Sequence, residues 1–219
     1  MFTGIVEAAG EVTAREATAD GLRLRVRADG LDDLHEGQSI SVSGVCLTVE
    51  EFGHGDPGIG ADGDDRDWFE VFLAAETVAK TYLDDLRAGD AVNVERAMPA
   101  DGRFDGHLVQ GHVDTTTELT AVEQVGEDWR YTFAIPDGFE RYVVDKGSVT
   151  LDGISLTVAE TRGDEFDVAI IPTTRDRTNL SEKAAGDPVH LEVDVVAKYV
   201  ERMLDDADAT PEPRRVDSE

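Results

Sequence analysis

The sequence predicts an all-β protein made of two tandem antiparallel barrels and one C-terminal helix. Three observations support this prediction: a duplicated sequence, many short β-prone segments in each copy, and one amphipathic segment near the C-terminus. With 219 residues, of which 40% are hydrophobic, the chain is long enough to bury the core of one large domain or two small ones.

The duplication appears as paired segments that share residues in the same order. The pairs are 37–49 with 146–158, 69–95 with 166–192 and, more weakly, 3–12 with 110–119. In the first pair, "SGVCLTV" corresponds to "DGISLTV", and self-similarity of this kind indicates repeated structural units. We therefore divide the chain into homologous halves at 1–97 and 98–195, a helical segment at 196–206 and a tail at 207–219 that we expect to be disordered.

Short segments rich in Val, Ile, Thr and Phe occur throughout both halves and are typical of strands. They are 21–28, 39–50, 69–74 and 90–95 in the first half, and 129–135, 147–160, 165–171 and 188–193 in the second. Gly-Asp pairs and other turn residues separate them, and helical stretches are few. This pattern favours a small antiparallel barrel in each half over alternating strands and helices.

The first half contains an insertion at 53–68 that is rich in Gly and Asp. Its composition is typical of a surface loop, and we interpret it as an acidic loop of a halophilic protein. Gly58, Gly60 and Gly63 match a dinucleotide-binding pattern, but aspartates surround them and no helix follows to present amide groups to a pyrophosphate. We expect no nucleotide site there.

The segment 194–206 predicts one amphipathic helix, with Asp194 as a possible N-cap. Its apolar side chains recur at helical spacing, at Val196, Tyr199, Val200, Met203 and Leu204. This stripe can pack on the barrel of its own chain or on the same helix of another subunit, and the periodicity favours neither arrangement.

The negative charge of the chain limits its classes of partner. It has 48 acidic and 20 basic residues, a formal net charge of −28, and a field of this sign repels nucleic acid and anionic lipid. Scattered acids of this kind keep a protein soluble where salt screens their repulsion, which indicates a halophilic source. No apolar run approaches the ~20 residues of a membrane-spanning helix. Because the N-terminal sequence lacks secretory features and Cys46 is the single cysteine, we expect a cytoplasmic protein.

The paired motifs place polar side chains on one face of a strand in each half. Cys46 and Thr48 are two residues apart, as are Ser155 and Thr157, so each pair projects from one face while Leu47 or Leu156 takes the other. Such a face suits recognition of a flat heterocycle with many hydrogen-bonding edges. Gly44 and Gly153 precede the motifs and permit close approach of a backbone. The sequence therefore predicts two similar ligand sites.

Metal and redox chemistry have little support in the sequence. His107 and His112 are five residues apart, a spacing that points them in different directions on a strand or a helix. The chain also lacks a GxSxG elbow, an HExxH motif and paired cysteines. We expect no cofactor.

Six stretches spread over both halves resemble the riboflavin synthase family, in the form with two lumazine-binding repeats. They are "MFTGIVE", "GVCLTV", "AGDAVNVERA", "DGHLVQGHVD", "LDGISLTV" and "IPTTRDRTNL". The resemblance implies two six-stranded Greek-key barrels and a homotrimer held by C-terminal helices, with active sites between subunits. It implies a transferase that dismutates two molecules of 6,7-dimethyl-8-ribityllumazine into riboflavin and 5-amino-6-(D-ribitylamino)uracil. Association with lumazine synthase is a further partner that the resemblance suggests.

The resemblance also implies the residues that line each lumazine site. Besides the cysteine and a histidine, the first site takes Gly4, Ile5, Val6, Leu47, Thr48, Ala75, Glu76, Thr77, Val78, Ala79, Lys80, Gly111 and Val113. The second site takes Lys146, Leu156, Thr157, Ile171, Pro172, Thr173, Thr174, Arg175 and Asp176.

Seven residues are our hypotheses for catalytic roles. We assign Cys46 and Ser39 to nucleophile handling or proton transfer, and His107 and His112 to positioning or acid–base work. In the second half, we assign ring orientation and proton relay to Ser155, Asp152 and Asp194, with Thr157 beside them. A lumazine or flavin carrier of the same fold is the alternative function. The presence of both polar motifs, the cysteine and both histidines favours the enzyme.

Overall fold

The computed structural model of the protein describes residues 1–55 and 66–208. The first barrel consists of β1 (Ala8–Ala17), β2 (Gly21–Ala28), β3 (Ser39–Val42), β4 (Val45–His54), β5 (Asp67–Ala74) and β6 (Ala91–Arg96). The second consists of β7 (Thr115–Val125), β8 (Asp128–Ala134), β9 (Ser148–Leu151), β10 (Ile154–Arg162), β11 (Glu165–Ile170) and β12 (Pro188–Val193). The helices are α1 (Ala75–Lys80), α2 (Pro172–Asp176) and α3 (Val195–Asp208), and 3-10 turns occupy Tyr82–Asp85 and Asn179–Ser181.

Both barrels close with the same strand order. The first runs β1-β2-β5-β4-β3-β6, the second runs β7-β8-β11-β10-β9-β12, and every pairing is antiparallel. In each barrel a later strand is inserted between the second and the fourth, a crossover arrangement typical of Greek keys. The predicted all-β fold of two tandem six-stranded barrels with a C-terminal helix is confirmed.

Alternating side chains build each barrel core. In β2, Leu22, Leu24 and Val26 point inward and are at most 1% exposed, while Arg23 and Arg25 point outward. The two halves have separate apolar clusters of this kind. Each barrel therefore has its own core.

Three local features differ from the sequence-based prediction. The strands β1 and β7 were not predicted as strands, because each has only two buried residues and carries several polar residues at its other positions. The predicted strand regions 39–50 and 147–160 are each split by a two-residue turn into a hairpin. Part of the predicted acidic loop 53–68 is strand, and its residues 56–65, including the glycine-rich pattern, lie outside the described residues.

The two hairpin turns meet each other between the barrels. Ser43 and Gly44 have φ values of 44° and 85°, and Asp152 and Gly153 have 46° and 82°, as in the tight turns that join two strands. A Cβ atom on Gly44 would lie 2.7 Å from the backbone N of Gly153, and one on Gly153 would lie 2.8 Å from that of Gly44. The close approach that we attributed to a ligand is therefore an approach of one barrel to the other.

Equivalent side chains of β6 and β12 complete this interface. Asn93 of β6 donates to the carbonyl of Asp152 at 2.8 Å and accepts from the backbone N–H of Asn179 at 2.7 Å. His190 of β12 faces the carbonyl of Ser43 at 2.7 Å and accepts from the backbone N–H of Tyr82 at 3.1 Å. The interface is thus approximately two-fold symmetric, like the sequence repeat.

Two segments without regular secondary structure cross from one barrel to the other. Phe2 pairs with Val109 through two backbone hydrogen bonds, so the N-terminal segment runs beside the segment that links the barrels. Beyond this crossing, the carbonyl of Gly4 accepts from Ser155 N–H of the second barrel at 2.8 Å. The carbonyl of Gly111 accepts from the N–H of Cys46 of the first barrel, also at 2.8 Å. Each segment therefore lies alongside the strand that carries one polar motif and is hydrogen-bonded to it.

The helix α3 leaves its apolar stripe uncovered. Asp194 caps it, accepting from the backbone N–H of Val196 at 2.9 Å. Tyr199 and Met203 are 69% and 73% exposed, and the other stripe residues are exposed as well. The helix contacts its own chain through polar groups, as in the ion pair of Lys198 with Asp114 at 2.8 Å, and its apolar stripe is not covered by the barrel. The helix also runs to Asp208, into the segment that we expected to be disordered, and the rest of that tail lies outside the described residues.

Among the residues that the structure describes, no helix has the length and apolar character needed to cross a membrane.

Candidate active site

Two pockets lie at equivalent positions on the two barrels. The barrel 1 pocket, of about 310 Å³, is lined by Val45, Cys46, Ala74, Glu76, Thr77, Lys80, Thr81, Gly111, His112 and Val113. The barrel 2 pocket, of about 180 Å³, is lined by Gly4, Ile5, Val6, Ile154, Ser155, Thr173, Thr174, Arg177 and Thr178. In each, the polar strand motif, a short helix and a segment from the barrel crossing converge. The repeat that the sequence shows therefore produces a repeated concave site.

The equivalent side chains differ between the pockets. Along the repeat, Cys46 corresponds to Ser155 and His112 to Ile5. On the short helices, Glu76 corresponds to Thr173, and the neighbouring cation is lysine in the first pocket and arginine in the second. The barrel 1 pocket thus carries more groups that can exchange protons.

Cys46 lines the barrel 1 pocket as a free thiol. Burial raises the pKa of its thiol, and a hydrogen bond with Ser39 opposes this rise. The thiol is half-buried because the backbone of Gly111 covers it: a Cβ atom there would lie 2.7 Å from the Cβ of Cys46. His112 is exposed at the rim, and Glu76 and Lys80 form an ion pair at 2.9 Å. A neutral thiol with a hydroxyl neighbour is suited to proton transfer at a bound ring.

A chain of hydrogen bonds marks the barrel 2 pocket. Nδ1 of His107 lies 2.7 Å from Oγ of Ser155, and its Nε2 lies 3.1 Å from Oγ1 of the buried Thr150. Burial lowers the pKa of His107, although the negative charge of Asp194 opposes this shift. The imidazole is therefore held neutral and can pass a proton between its two nitrogens. Of our catalytic candidates, Ser155 and His107 are therefore in contact, and the charge of Asp194 acts on His107.

The N-terminal triplet lies in a different pocket from the expected one. We expected Gly4, Ile5 and Val6 beside Cys46, but they line the barrel 2 pocket beside Ser155. The crossing of the two irregular segments explains this difference, because it carries the N-terminal segment from the first barrel to the second. The segment that holds Gly111 and Val113 lies beside Cys46, as expected.

Asp152 lies apart from both pockets. Its side chain is fully buried between the barrels, where it accepts from the backbone N–H of His190 and from the side chain of Asn179, both at 2.8 Å. Lys183 lies 3.5 Å from it. This position assigns Asp152 to the barrel interface in place of the proton relay that we expected.

Several expected binding residues present only their backbone or an outer face. Leu47 and Leu156 point into the barrel cores, so only their backbone groups can reach a ligand. Thr48 and Thr157 are exposed on the outer faces. Lys146 donates its ammonium group to the carbonyl of Ala159, away from the residues that line the pocket.

The short helices place some expected residues at the pockets and turn others away. Val78 of α1 packs on the core of the first barrel, and Arg175 of α2 stacks over Trp129 at 4.2 Å. The remaining expected residues of these segments line neither pocket and are exposed. They are Ala75, Ala79, Ile171, Pro172 and Asp176.

Sequence reasoning missed several pocket residues. They are Val45, Ala74, Thr81, Ile154, Arg177 and Thr178. Thr81 and Thr178 are equivalent, and each donates its hydroxyl to the carbonyl four residues earlier, at 2.7 and 2.8 Å. Their shared place in the aligned repeat was the available signal. In the part of the chain that the structure describes, no three His, Cys, Asp or Glu side chains are arranged to hold a metal ion.

Comparison with known proteins assigns the family. The lumazine binding domain family matches residues 3–97 and again 110–194. The chain is 49% identical over 210 residues to riboflavin synthase of Mycobacterium tuberculosis, covering 93% of this chain and 98% of that protein. It is 40% identical over 208 residues to riboflavin synthase of Schizosaccharomyces pombe, covering 94% of each.

A solved structure has the same fold. The crystal structure of LumP complexed with riboflavin matches with a TM-score of 0.73 and 21% identity, over 88% of this chain and 99% of that one. At this identity the likeness concerns the fold, and the family assignment depends on the sequence matches. With a lumazine binding domain in each half and similarity over nearly its full length to these synthases, the chain belongs to the riboflavin synthase family.

Proposed function

We propose that this protein is a transferase that converts two molecules of 6,7-dimethyl-8-ribityllumazine into riboflavin and 5-amino-6-(D-ribitylamino)uracil. One molecule gives a four-carbon unit to the other, so the reaction needs two copies of one substrate in different roles. The observation that carries this proposal is the pair of equivalent pockets, one on each lumazine binding domain. Their shared backbone and different side chains suit two copies that must react differently.

The chemistry assigned to the chain is orientation and proton transfer. The pteridine ring delocalises the anion formed at its methyl group on carbon 7, so the protein needs to hold two rings and move protons. In the barrel 1 pocket, we assign proton transfer or nucleophile handling to Cys46 with its partner Ser39, and positioning to His112. In the barrel 2 pocket, the arrangement of Ser155 and His107 supports a proton relay.

We propose that the working form is a homotrimer of this chain. The uncovered apolar stripe of α3 supports association through this helix. The pockets are open to solvent in the single chain, and a neighbouring subunit would bring a barrel 1 pocket and a barrel 2 pocket face to face. The net charge of −28 supports work in a salt-rich cytoplasm.

The test is incubation of the purified protein in molar salt with 6,7-dimethyl-8-ribityllumazine, following riboflavin by absorbance and fluorescence. We expect steady formation of one riboflavin for every two lumazine molecules consumed. Tight binding without turnover would contradict the enzyme and support a carrier. A Cys46→Ala, His107→Ala double variant is the control, because it should retain the fold and lose turnover.

A further inference from the structure

Two buried glutamates lie where the irregular segments cross from one barrel to the other. Glu95 belongs to β6 of the first barrel and Glu192 to β12 of the second, and they are 5% and 3% exposed. They are equivalent along the repeat. Neither lines the barrel 1 pocket or the barrel 2 pocket, and neither forms an ion pair within the described residues. Buried carboxylates of this kind need another explanation, because an unpaired charge is costly to bury.

Both carboxylates are hydrogen-bonded by backbone amides of a crossing segment. Glu95 accepts from the N–H and the hydroxyl of Thr3 at 2.7 and 2.9 Å, and from the N–H of Gly4 at 3.0 Å. Glu192 accepts from the N–H groups of Gln110, Gly111 and His112 at 2.7, 2.9 and 2.9 Å. Burial raises the pKa of both carboxyls, and these backbone bonds oppose the rise. Three donors on one buried group therefore hold each crossing segment, in addition to the backbone hydrogen bond that joins it to the strand with the polar motif.

Each glutamate holds the segment that completes the pocket of the other barrel. Glu95 is in the first barrel, but the Gly4 that it binds pairs with Ser155 and lines the barrel 2 pocket. Glu192 is in the second barrel, but the Gly111 that it binds pairs with Cys46 and lines the barrel 1 pocket. The connection is therefore reciprocal and runs across the barrel interface.

We propose that Glu95 and Glu192 are positioning residues that act across the barrel interface, each holding in place the segment that lines the other barrel's pocket. Their place in catalysis rests on the proposed function, but their effect on pocket geometry does not. The glutamates thereby tie the geometry of each pocket to the docking of the two barrels.

The effect of each glutamate on the pocket of the other barrel can be measured with a thiol probe, because Cys46 is the single cysteine of the chain. The backbone of Gly111 covers Cys46, and that of Gly4 covers Ser155 in the same way, with Cβ–Cβ approaches of 2.7 and 2.6 Å for an added Cβ. Release of either segment should expose the side chain beneath it. A Cys46→Ala, Ser155→Cys double variant moves the probe to the second pocket, which gives a matched pair of reporters.

The experiment measures the alkylation of each thiol by iodoacetamide over a range of pH, using intact mass, and compares the pH-independent rate constants of the thiolates. This comparison removes the change in thiol pKa that follows when the charge of Glu192, which raises the pKa of Cys46, is lost. Glu192→Gln places an amide N–H2 against a backbone N–H, and we expect it to speed alkylation at position 46 by about five- to tenfold, the effect of losing one or two buried hydrogen bonds. Glu95→Gln should leave that rate unchanged and should speed alkylation at position 155 by a similar factor. Faster alkylation at both positions in either variant, or at neither, would overturn the proposal.

The control separates positioning from general loosening of the interface. Asn93→Ala removes hydrogen bonds between the barrels without touching either crossing segment, so it should lower thermal stability and leave both alkylation rates unchanged. If a glutamine variant does not fold, amide hydrogen exchange of the unaltered protein decides the matter. The amides bound to Glu95 and Glu192 should exchange at least tenfold more slowly than those of Asp101 and Arg103 in the exposed part of the link. Equally fast exchange would contradict the proposal.

Turnover supplies the readout for catalysis. Both glutamine variants should lower kcat by about tenfold with a smaller change in KM, because a misplaced segment disturbs the reacting geometry more than the binding of the substrate. An unchanged kcat together with the crossed alkylation pattern would leave the glutamates as structural braces only and would overturn their catalytic role. Absence of turnover in the unaltered protein would instead count against the proposed function and leave the alkylation result intact.

Discussion

The barrel 1 pocket and the barrel 2 pocket have the same backbone framework and different side chains. Both are closed by a glycine with positive φ, Gly111 at 77° and Gly4 at 76°, lying on the strand that bears the polar motif. The first then presents Cys46 and a rim histidine, whereas the second presents Ser155 and an isoleucine. The comparison teaches that the duplication preserved the geometry of ligand binding and left the chemistry of each copy free to differ.

The difference extends to how each pocket obtains its imidazole. His112 of the barrel 1 pocket stands at an exposed rim within the repeat. His107, which serves the barrel 2 pocket, precedes the repeated segment and is half-buried between two hydroxyls. The imidazole beside the second pocket therefore comes from the link between the barrels, outside the repeat.

The largest expected effect comes from adding a side chain to the glycine that covers the polar motif in each pocket. Gly111→Ala puts a Cβ 2.7 Å from that of Cys46, so the segment must move, and a shift of about 1 Å is enough to lower turnover roughly 100-fold. Gly4→Ala should have an effect of the same order at the other pocket. Riboflavin formation under saturating and limiting substrate measures both.

The matched control for these variants is Gly126→Ala, in the turn between β7 and β8. This glycine also has a positive φ, 68°, but an added Cβ would meet nothing within 4 Å. It should cost about 1 kcal/mol of stability from backbone strain and leave turnover unchanged. If Gly111→Ala is damaging and Gly4→Ala is not, the two pockets do not share one role in binding.

The second prediction exchanges the chemistry of the pockets. Cys46→Ser should lower kcat by about 10- to 100-fold, because a hydroxyl is a poorer proton donor than the thiol at this position. Ser155→Cys should cost less, since the neighbouring His107 remains to assist proton transfer. The test is the measurement of kcat for both single variants and for the double variant Cys46→Ser, Ser155→Cys. Equal losses in the two single variants would show that the side chains are interchangeable.

The sequence predicted the barrels and their polar motifs better than it predicted the contacts between the barrels. Alternation in β2 and the paired "SLTV"-type motifs were enough for the barrels and for the outward faces of Cys46 and Ser155, because these features depend on local period. The pocket of Gly4 and the burial of Asp152 depend on how two barrels dock, and no local pattern reports docking. The same holds for Glu192, whose partners are some 80 residues earlier in the chain.

The third prediction concerns His107. His107→Ala removes the partner of Ser155 and should lower kcat by about tenfold or more, at the lower end of the range for a general acid or base. Because burial lowers the pKa of His107, the acidic limb of the pH–rate profile should lie below the ordinary value of about 6.5 in the unaltered protein and disappear in the variant. His35→Ala, at an exposed site on the first barrel, is the control. A profile that keeps this limb in His107→Ala would exclude the histidine as its source.

The smallest expected effect concerns a pair of equivalent interface residues that differ in whether they can carry a charge, His190 and Asn93. The carbonyl of Ser43 can only accept, so Nδ1 of His190 carries the proton, and Nε2 must stay unprotonated to accept from the N–H of Tyr82. Burial accordingly lowers the pKa of His190, with the charge of Asp152 opposing the shift.

This difference gives a sign for the pH dependence of stability. An unfolded chain protonates its histidine near pH 6.5 while the folded state keeps His190 neutral, so below about pH 6.5 the unfolded state binds more protons. The free energy of unfolding should therefore fall as pH decreases from 7.5 to 5.5. His190→Asn can form both hydrogen bonds as Asn93 does and should lose less stability over this interval, as urea unfolding in molar salt would show. Because the acidic surface is common to both proteins, its contribution cancels in the difference, and equal losses would mean that His190 binds a proton as readily in the folded state as in the unfolded chain.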